Sequence, residues 1–118
     1  MSKDTGFSIT SAERYSLALY ELSTEGNVTS QIEEQSLSVL KLLEQSQDFS
    51  NLIKDPTTSQ DDLLKVVNTI SENYKFDQLL KNFLSFLIQK RRFFFVERIL
   101  KSFIEICSEK RGELKAEL

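Results

Sequence analysis

A single proline, Pro56, and three glycines, Gly6, Gly26 and Gly112, are all that punctuate the 118 residues. Hairpins and barrels draw on Gly and Pro for their turns, so a chain this poor in both is restricted to long helical runs with few breaks. The firmest break is Asp55-Pro56, because proline denies the residue before it an easy helical conformation. An all-α fold is expected, and the length suits one domain with one core. Hydrophobic residues make up 40% and charged residues 28% of the chain, well away from the composition of disordered segments.

Apolar spacing divides the chain into six helices. The first is expected from about Ile9 to Thr24, with Thr10 and Glu13 spaced as a capping box and Gly26 as the stop. The second, about Val28 to Gln45, places Val28, Ile32, Val39, Leu42 and Leu43 on one stripe, with Thr29 or Ser30 as its cap. Phe49, Leu52 and Ile53 make a short turn of helix before Pro56. Ser59 then caps a fourth helix, whose acidic start suits the positive helix end and whose stripe is Leu63, Val66, Val67 and Ile70. A fifth runs from about Asp77 to Arg91, and a sixth from about Phe94 to Lys110, with Gly112 expected to end it. The connections are short and no repeat is visible, as in a helical bundle.

Several function classes are poorly served by this composition. A net charge of -3 and a pI near 5.0 disfavour nonspecific nucleic-acid binding, which needs an excess of Lys and Arg. There is no His, so the usual activation of a Ser or Cys nucleophile is missing, and one Cys cannot build a zinc site or an internal disulfide. No catalytic, cofactor-binding or metal-ligating residue is assigned, and no cofactor is expected. The adjacent acids Glu33-Glu34 and Asp61-Asp62 splay apart on a helix and read as solvated faces and caps. Cys107 lies on the apolar stripe of the last helix and reads as a packing residue in a reducing compartment. No apolar run approaches the ~20 residues that span a bilayer, and the start of the chain has neither a signal-peptide core nor the Arg-rich, acid-poor character of a transit peptide. Neither secretion nor membrane insertion is expected, and a bacterial or already processed protein fits best.

Two helices carry more apolar surface than one contact needs. An arc of somewhat over ~100° serves a helix packed on one side. On the first helix Ala12, Tyr15, Ala18, Leu19 and Leu22, with Leu17 and Tyr20, cover roughly 250°. On the fifth, Leu79, Leu80, Phe83, Leu84, Phe86, Leu87 and Ile88 cover roughly 200°. The surplus has two readings from periodicity alone: a groove for a partner's amphipathic helix, or enclosure of both helices by the other four.

Four stretches in order carry a resemblance. Ala12-Glu13-Arg14-Tyr15-Ser16-Leu17-Ala18-Leu19-Tyr20-Glu21 resembles the opening helix of the delta subunit of F-type ATP synthases, the oligomycin sensitivity conferral protein of mitochondria. Phe49 to Pro56 resembles that family's F-x-x-L-x-x-P stretch, Asn82 to Arg92 its N-F-L-x-x-L-x-x-x-x-R stretch, and Arg111 to Leu118 the G-x-x-x-A-x-V that leads into its C-terminal domain. One departure bears on the turn after the fifth helix: relatives have Asn or Gly just before the Arg, where this chain has Lys90-Arg91.

The resemblance implies a six-helix bundle over residues 1–111, with 112–118 beginning a linker to a C-terminal domain absent from this chain. It implies a peripheral-stalk component that binds the N-terminal helix of an alpha subunit and holds the catalytic head to the stalk during proton-driven ATP synthesis. The second domain would meet the b subunits, and the assembly would sit at the cytoplasmic face of the bacterial inner membrane. Carried onto this chain, the alpha-binding residues are Tyr15, Ala18, Leu19 and Leu22 of the first helix with Phe83, Phe86, Leu87 and Lys90 of the fifth: apolar anchors, close approach at Ala18, and rim charge at Lys90. Two alternatives stand beside it. One is a helical adaptor of another kind. The other is an RNA-binding bundle of the antitermination type, which would need Lys90, Arg91, Arg92 and Arg98 exposed together, with Arg14 extending the patch.

Overall fold

In the computed structural model, which describes residues 11–116 and side chains through Gly112, the described residues form six α-helices and one 3₁₀ turn and no strand. The helices are α1 (Ala12–Glu25), α2 (Thr29–Gln45), α3 (Gln47–Lys54), α4 (Gln60–Asn73), α5 (Gln78–Gln89) and α6 (Val96–Ala116), with the 3₁₀ turn at Phe93–Phe95 between the last two. The first helix's expected start at Ile9 and the Thr10 half of its capping box lie outside the described residues.

The longest helix, α6, organises the bundle. It packs most extensively against α1 and then α2, while α4 packs against α5 and α3 against α2. Its stripe of Val96, Ile99, Leu100, Phe103 and Cys107 is buried throughout, because the i, i+3/i+4 spacing turns all five toward the core. The facing side of α1 carries the small residues Ala12, Ser16 and Ser23, also buried, which let the two backbones approach closely. Leu80, Leu84, Leu87 and Ile88 of α5 and Ile32 and Val39 of α2 complete the same core.

Local chemistry explains most of the boundaries. Ser59 caps α4 by accepting from the Asp62 amide at 3.1 Å, and Asp77 caps α5 by accepting from the Leu79 amide at 2.9 Å. Ser46 does the same for α3 at the Phe49 amide, which makes α3 an eight-residue helix and not a single turn. At Pro56 the chain turns on Asp55, whose carboxylate accepts from the Thr57 amide at 2.9 Å and its hydroxyl at 2.7 Å. These bonds hold the Asp55 carboxyl below its ordinary range.

Four boundaries differ from the sequence reading. Neither Thr29 nor Ser30 caps α2; Val28 occupies the cap position with no side-chain bond. The aromatic run at Phe93–Phe95 is a 3₁₀ turn, so α6 begins at Val96 rather than Phe94. Helix α5 stops at Gln89, short of Arg91. Gly112 does not end α6, which continues through it to Ala116. A glycine inside a helix costs only ~1 kcal/mol, and Arg111, one residue earlier, grips Glu33 of α2 through two hydrogen bonds of 2.7 and 3.0 Å.

Three helices end on the same device, and none uses glycine for it. Asn27, Lys75 and Arg91 have φ of 58°, 56° and 60°, the left-handed region. Each follows a helix whose last carbonyls are closed by a pair of bonds: Val28 N to Ser23 O and Asn27 N to Thr24 O, Phe76 N to Ser71 O and Lys75 N to Glu72 O, Arg92 N to Leu87 O and Arg91 N to Ile88 O. This is the Schellman arrangement. Gly26 sits at the C-cap of α1, where sequence reading put the stop, but at φ -86° it is not the left-handed residue. Arg91, in the Lys90-Arg91 pair that departs from the pattern this stretch resembles, holds the left-handed position of its turn.

Candidate helix-binding groove

Helices α1 and α5 cross the molecule in opposite senses. Tyr15, in the first turn of α1, meets Phe86 in the second half of α5 with ring centroids 6.2 Å apart and planes tilted 58°. At the other end, Gly26 lies beside Leu79 in the first turn of α5. Between the two helices is a cavity of about 370 Å³ lined by Ser11, Arg14, Tyr15, Ala18, Phe86 and Arg92.

The floor and rims of this cavity differ in chemistry. Phe86 is 42% exposed although it is a large aromatic, and Leu22, on the same face of α1, is 48% exposed. Lys90, one turn after Phe86, holds its ammonium 5.7 Å from the centre of that ring, a cation–π contact at the rim. Arg14 and Ala18 are exposed, Tyr15 and Arg92 half-buried. At 100° per residue Arg14, Ala18, Leu22 and Tyr15 fall within ~100° of one another on α1.

Not all of the sequence-derived candidates face this groove. Leu19 and Leu87 have no exposed surface and Phe83 has 6%, so these three are core residues that hold the helices in place from beneath. Leu19 lies on the side of α1 shared with Ala12, Ser16 and Ser23, which α6 covers. Tyr15, Ala18 and Phe86 do line the cavity, with Lys90 on its rim and Leu22 further along. Sequence reading passed over Ser11 and Arg92 as groove residues and considered Arg14 only for RNA. The available signal was spacing, since Arg14 stands one turn before Ala18 on the same face.

Among the described residues no three of His, Cys, Asp and Glu come close enough to share a metal ion. Cys107 is buried, and that burial, reinforced by the Glu33 carboxylate, pushes its thiol up to about 11 despite the opposing charge of Arg111. Arg98 lines a separate cleft with Glu13, Glu97, Lys101 and Glu105, so it does not extend the basic end at Arg14, Lys90 and Arg92. No helix among the described residues is long and apolar enough to cross a membrane.

Comparison with known proteins agrees with this architecture. The family model for the ATP synthase delta (OSCP) subunit matches residues 12–118. The ATP synthase subunit delta of Pelagibacter ubique is 61% identical over 118 residues, all of this chain and 64% of that protein. The subunit of the same name from Chelativorans sp. is 36% identical over 107 residues, 91% of this chain and 58% of its own length. The chain therefore spans about three-fifths of the curated relatives it matches. Among solved structures, a chain of the Toxoplasma gondii mitochondrial ATP synthase hexamer superposes on 78% of this chain with a TM-score of 0.74 and 27% identity, using 51% of its own residues. The chain belongs to the ATP synthase delta (OSCP) subunit family.

Proposed function

We propose that this chain is the alpha-binding part of a peripheral-stalk component of an F-type ATP synthase, and that the groove between α1 and α5 receives the N-terminal helix of an alpha subunit. The observation that carries the reading is the exposed apolar floor of that groove, Phe86 with Tyr15, Ala18 and Leu22, in a member of the delta family. An amphipathic helix laid into such a groove buries one apolar face and leaves its polar face wet.

The contribution would be mechanical, with no bond made or broken. By holding the catalytic head to the stalk, which the b subunits would join through a second domain, the subunit lets rotor torque drive ATP synthesis instead of turning the head. It would work at the cytoplasmic face of a bacterial inner membrane without entering the bilayer.

Calorimetric titration with a synthetic peptide covering the N-terminal segment of the same organism's alpha subunit tests the reading. Saturable one-to-one binding is expected. Absence of both heat and amide chemical-shift change at high peptide concentration would overturn it.

A further inference from the structure

A second cavity, of about 500 Å³, lies where α2, α3 and the start of α6 meet. Its α2 wall is Leu37, Leu40, Lys41 and Glu44, at i, i+3, i+4 and i+7, so one stripe of that helix faces the opening. Leu37 is 49% exposed, and Leu40 and Leu43 beside it are half-buried. Three leucines gathered in one concavity inside a charged rim have the make-up of a protein contact, which a leucine exposed singly does not. The rim carries three lysines, Lys41, Lys54 and Lys101, against two acids, Glu44 and Glu97. Glu97 is taken by Lys101, one turn along α6, at 3.1 Å. Among the described residues neither Lys41 nor Lys54 has an ion pair. The lining is therefore net positive in a chain whose net charge is -3.

We propose that this junction of α2, α3 and α6 docks an acidic amphipathic helix of a partner protein, whose apolar side chains pack on Leu37, Leu40 and Leu43 and whose flanking Asp or Glu side chains reach Lys41 and Lys54. A helix fits better than an extended strand, because the wall is itself a helical stripe into whose grooves the ridges of a second helix settle. Nor is there a sheet edge among the described residues for a strand to extend. From Leu37 to Glu44 the stripe runs ~10 Å, about two turns at 1.5 Å per residue, so a partner of two to three turns covers it. The apolar contact supplies most of the affinity. Exposed lysines add little each, but they speed encounter with an acidic segment and reject a basic one. The proposal is independent of the reading of the groove between α1 and α5, with which this surface shares no residue.

The probe is a synthetic amphipathic helix of about 15 residues, with leucines at i, i+3, i+4 and i+7 flanked by glutamates, beside a counterpart in which lysine replaces every glutamate. Each is titrated into the 118-residue chain labelled with ¹⁵N. The glutamate form is expected to shift the amides of 37–44, 50–54 and 97–101 saturably, and the lysine form to bind there at least about tenfold more weakly at low salt. Lys41→Glu combined with Lys54→Glu is expected to weaken the glutamate form roughly three- to tenfold at low salt, with the loss shrinking at high salt. Leu37→Asp is expected to remove binding, and both variants to keep the helical circular dichroism of the unmodified chain. No shift at these amides, whether or not the groove amides of 12–22 and 83–92 move, or equal binding of the two peptides at this surface, would overturn the proposal. So would shifts at the same amides on concentrating the chain alone, since the surface would then be one that two copies of this chain share.

Discussion

The buried hydroxyl of Ser16 on α1 stands 2.8 Å from the carbonyl oxygen of Ile99 on α6 and 2.7 Å from that of Ala12 on its own helix. A serine at this place does two things: it donates its proton into one of these carbonyls, and it is small enough for α6 to lie close against α1. The two roles separate by mutation. Ser16→Ala keeps the size and loses the bond, and is expected to cost about 1 kcal/mol in urea denaturation. Ser16→Leu forces a large side chain between α1 and α6, the most extensively packed helix pair of the bundle, and is expected to cost more, about 1–3 kcal/mol beyond that loss. Equal effects of the two would mean that close packing is not what the serine serves.

Lys75 and Arg91 are strained by their own backbone. An L-residue with a Cβ in the left-handed region is held about 1–2 kcal/mol above its preferred conformation, and only part of that is offset when glycine adds freedom to the unfolded chain. Lys75→Gly and Arg91→Gly are each expected to raise stability by about 0.5–1 kcal/mol, read as a shift in the urea midpoint with unchanged slope. Asn27→Gly should gain less, since asparagine tolerates this region better than lysine or arginine does. A loss of stability in Lys75→Gly would show that its side chain makes a contact stronger than the strain.

These turns mark where sequence reading runs out. Helix number, order and most boundaries were legible because their causes are local: apolar spacing, a capping Ser59, a break at Pro56. The left-handed residues were not, because lysine and arginine carry no local signal for a conformation that the surrounding bonds impose. Gly112 carries a stop signal that α6 runs through, and the residue before it, Arg111, meets Glu33 78 residues away in the chain, a contact that no local pattern announces. The groove was half legible. Helical spacing identified α1 and α5 as having too much apolar surface, but which part of each arc is exposed depends on where α6 and the rest of the core sit. Leu19, Phe83 and Leu87 turned inward for that reason, while Phe86 and Leu22 stayed out.

Ala18 and Leu19 are neighbours in sequence with opposite burial, which gives a clean separation of binding from folding. Ala18 is exposed on the groove wall and Leu19 has no exposed surface. Ala18→Glu is expected to keep the helical circular dichroism and the melting midpoint of the unmodified chain while abolishing saturable binding of the alpha peptide. Leu19→Glu places an unpaired carboxylate in the core and is expected to unfold the domain or cost at least several kcal/mol. If Ala18→Glu also unfolds, Ala18 belongs to the core and the groove has been misplaced.

Cys107, Glu33 and Arg111 form one electrostatic unit where α6 leaves the bundle. Burial is the main cause of the raised thiol pKa of about 11, the Glu33 carboxylate adds to it, and Arg111 opposes it. The two charges can therefore be told apart by titrating the thiolate absorbance. Glu33→Gln is expected to lower the Cys107 pKa, and Arg111→Ala to raise it further. Shifts of the same sign in both variants would mean that loosening of the helix end, and not charge, governs the thiol. The linkage to stability follows from the direction of the shift. The folded thiol holds its proton to higher pH than the unfolded one, whose value is near 9.0, so the thiol's contribution is fully present below about pH 9 and is lost as pH rises toward 11. Stability of the unmodified chain, measured against Cys107→Ala, is expected to fall across that window and to run parallel to it below.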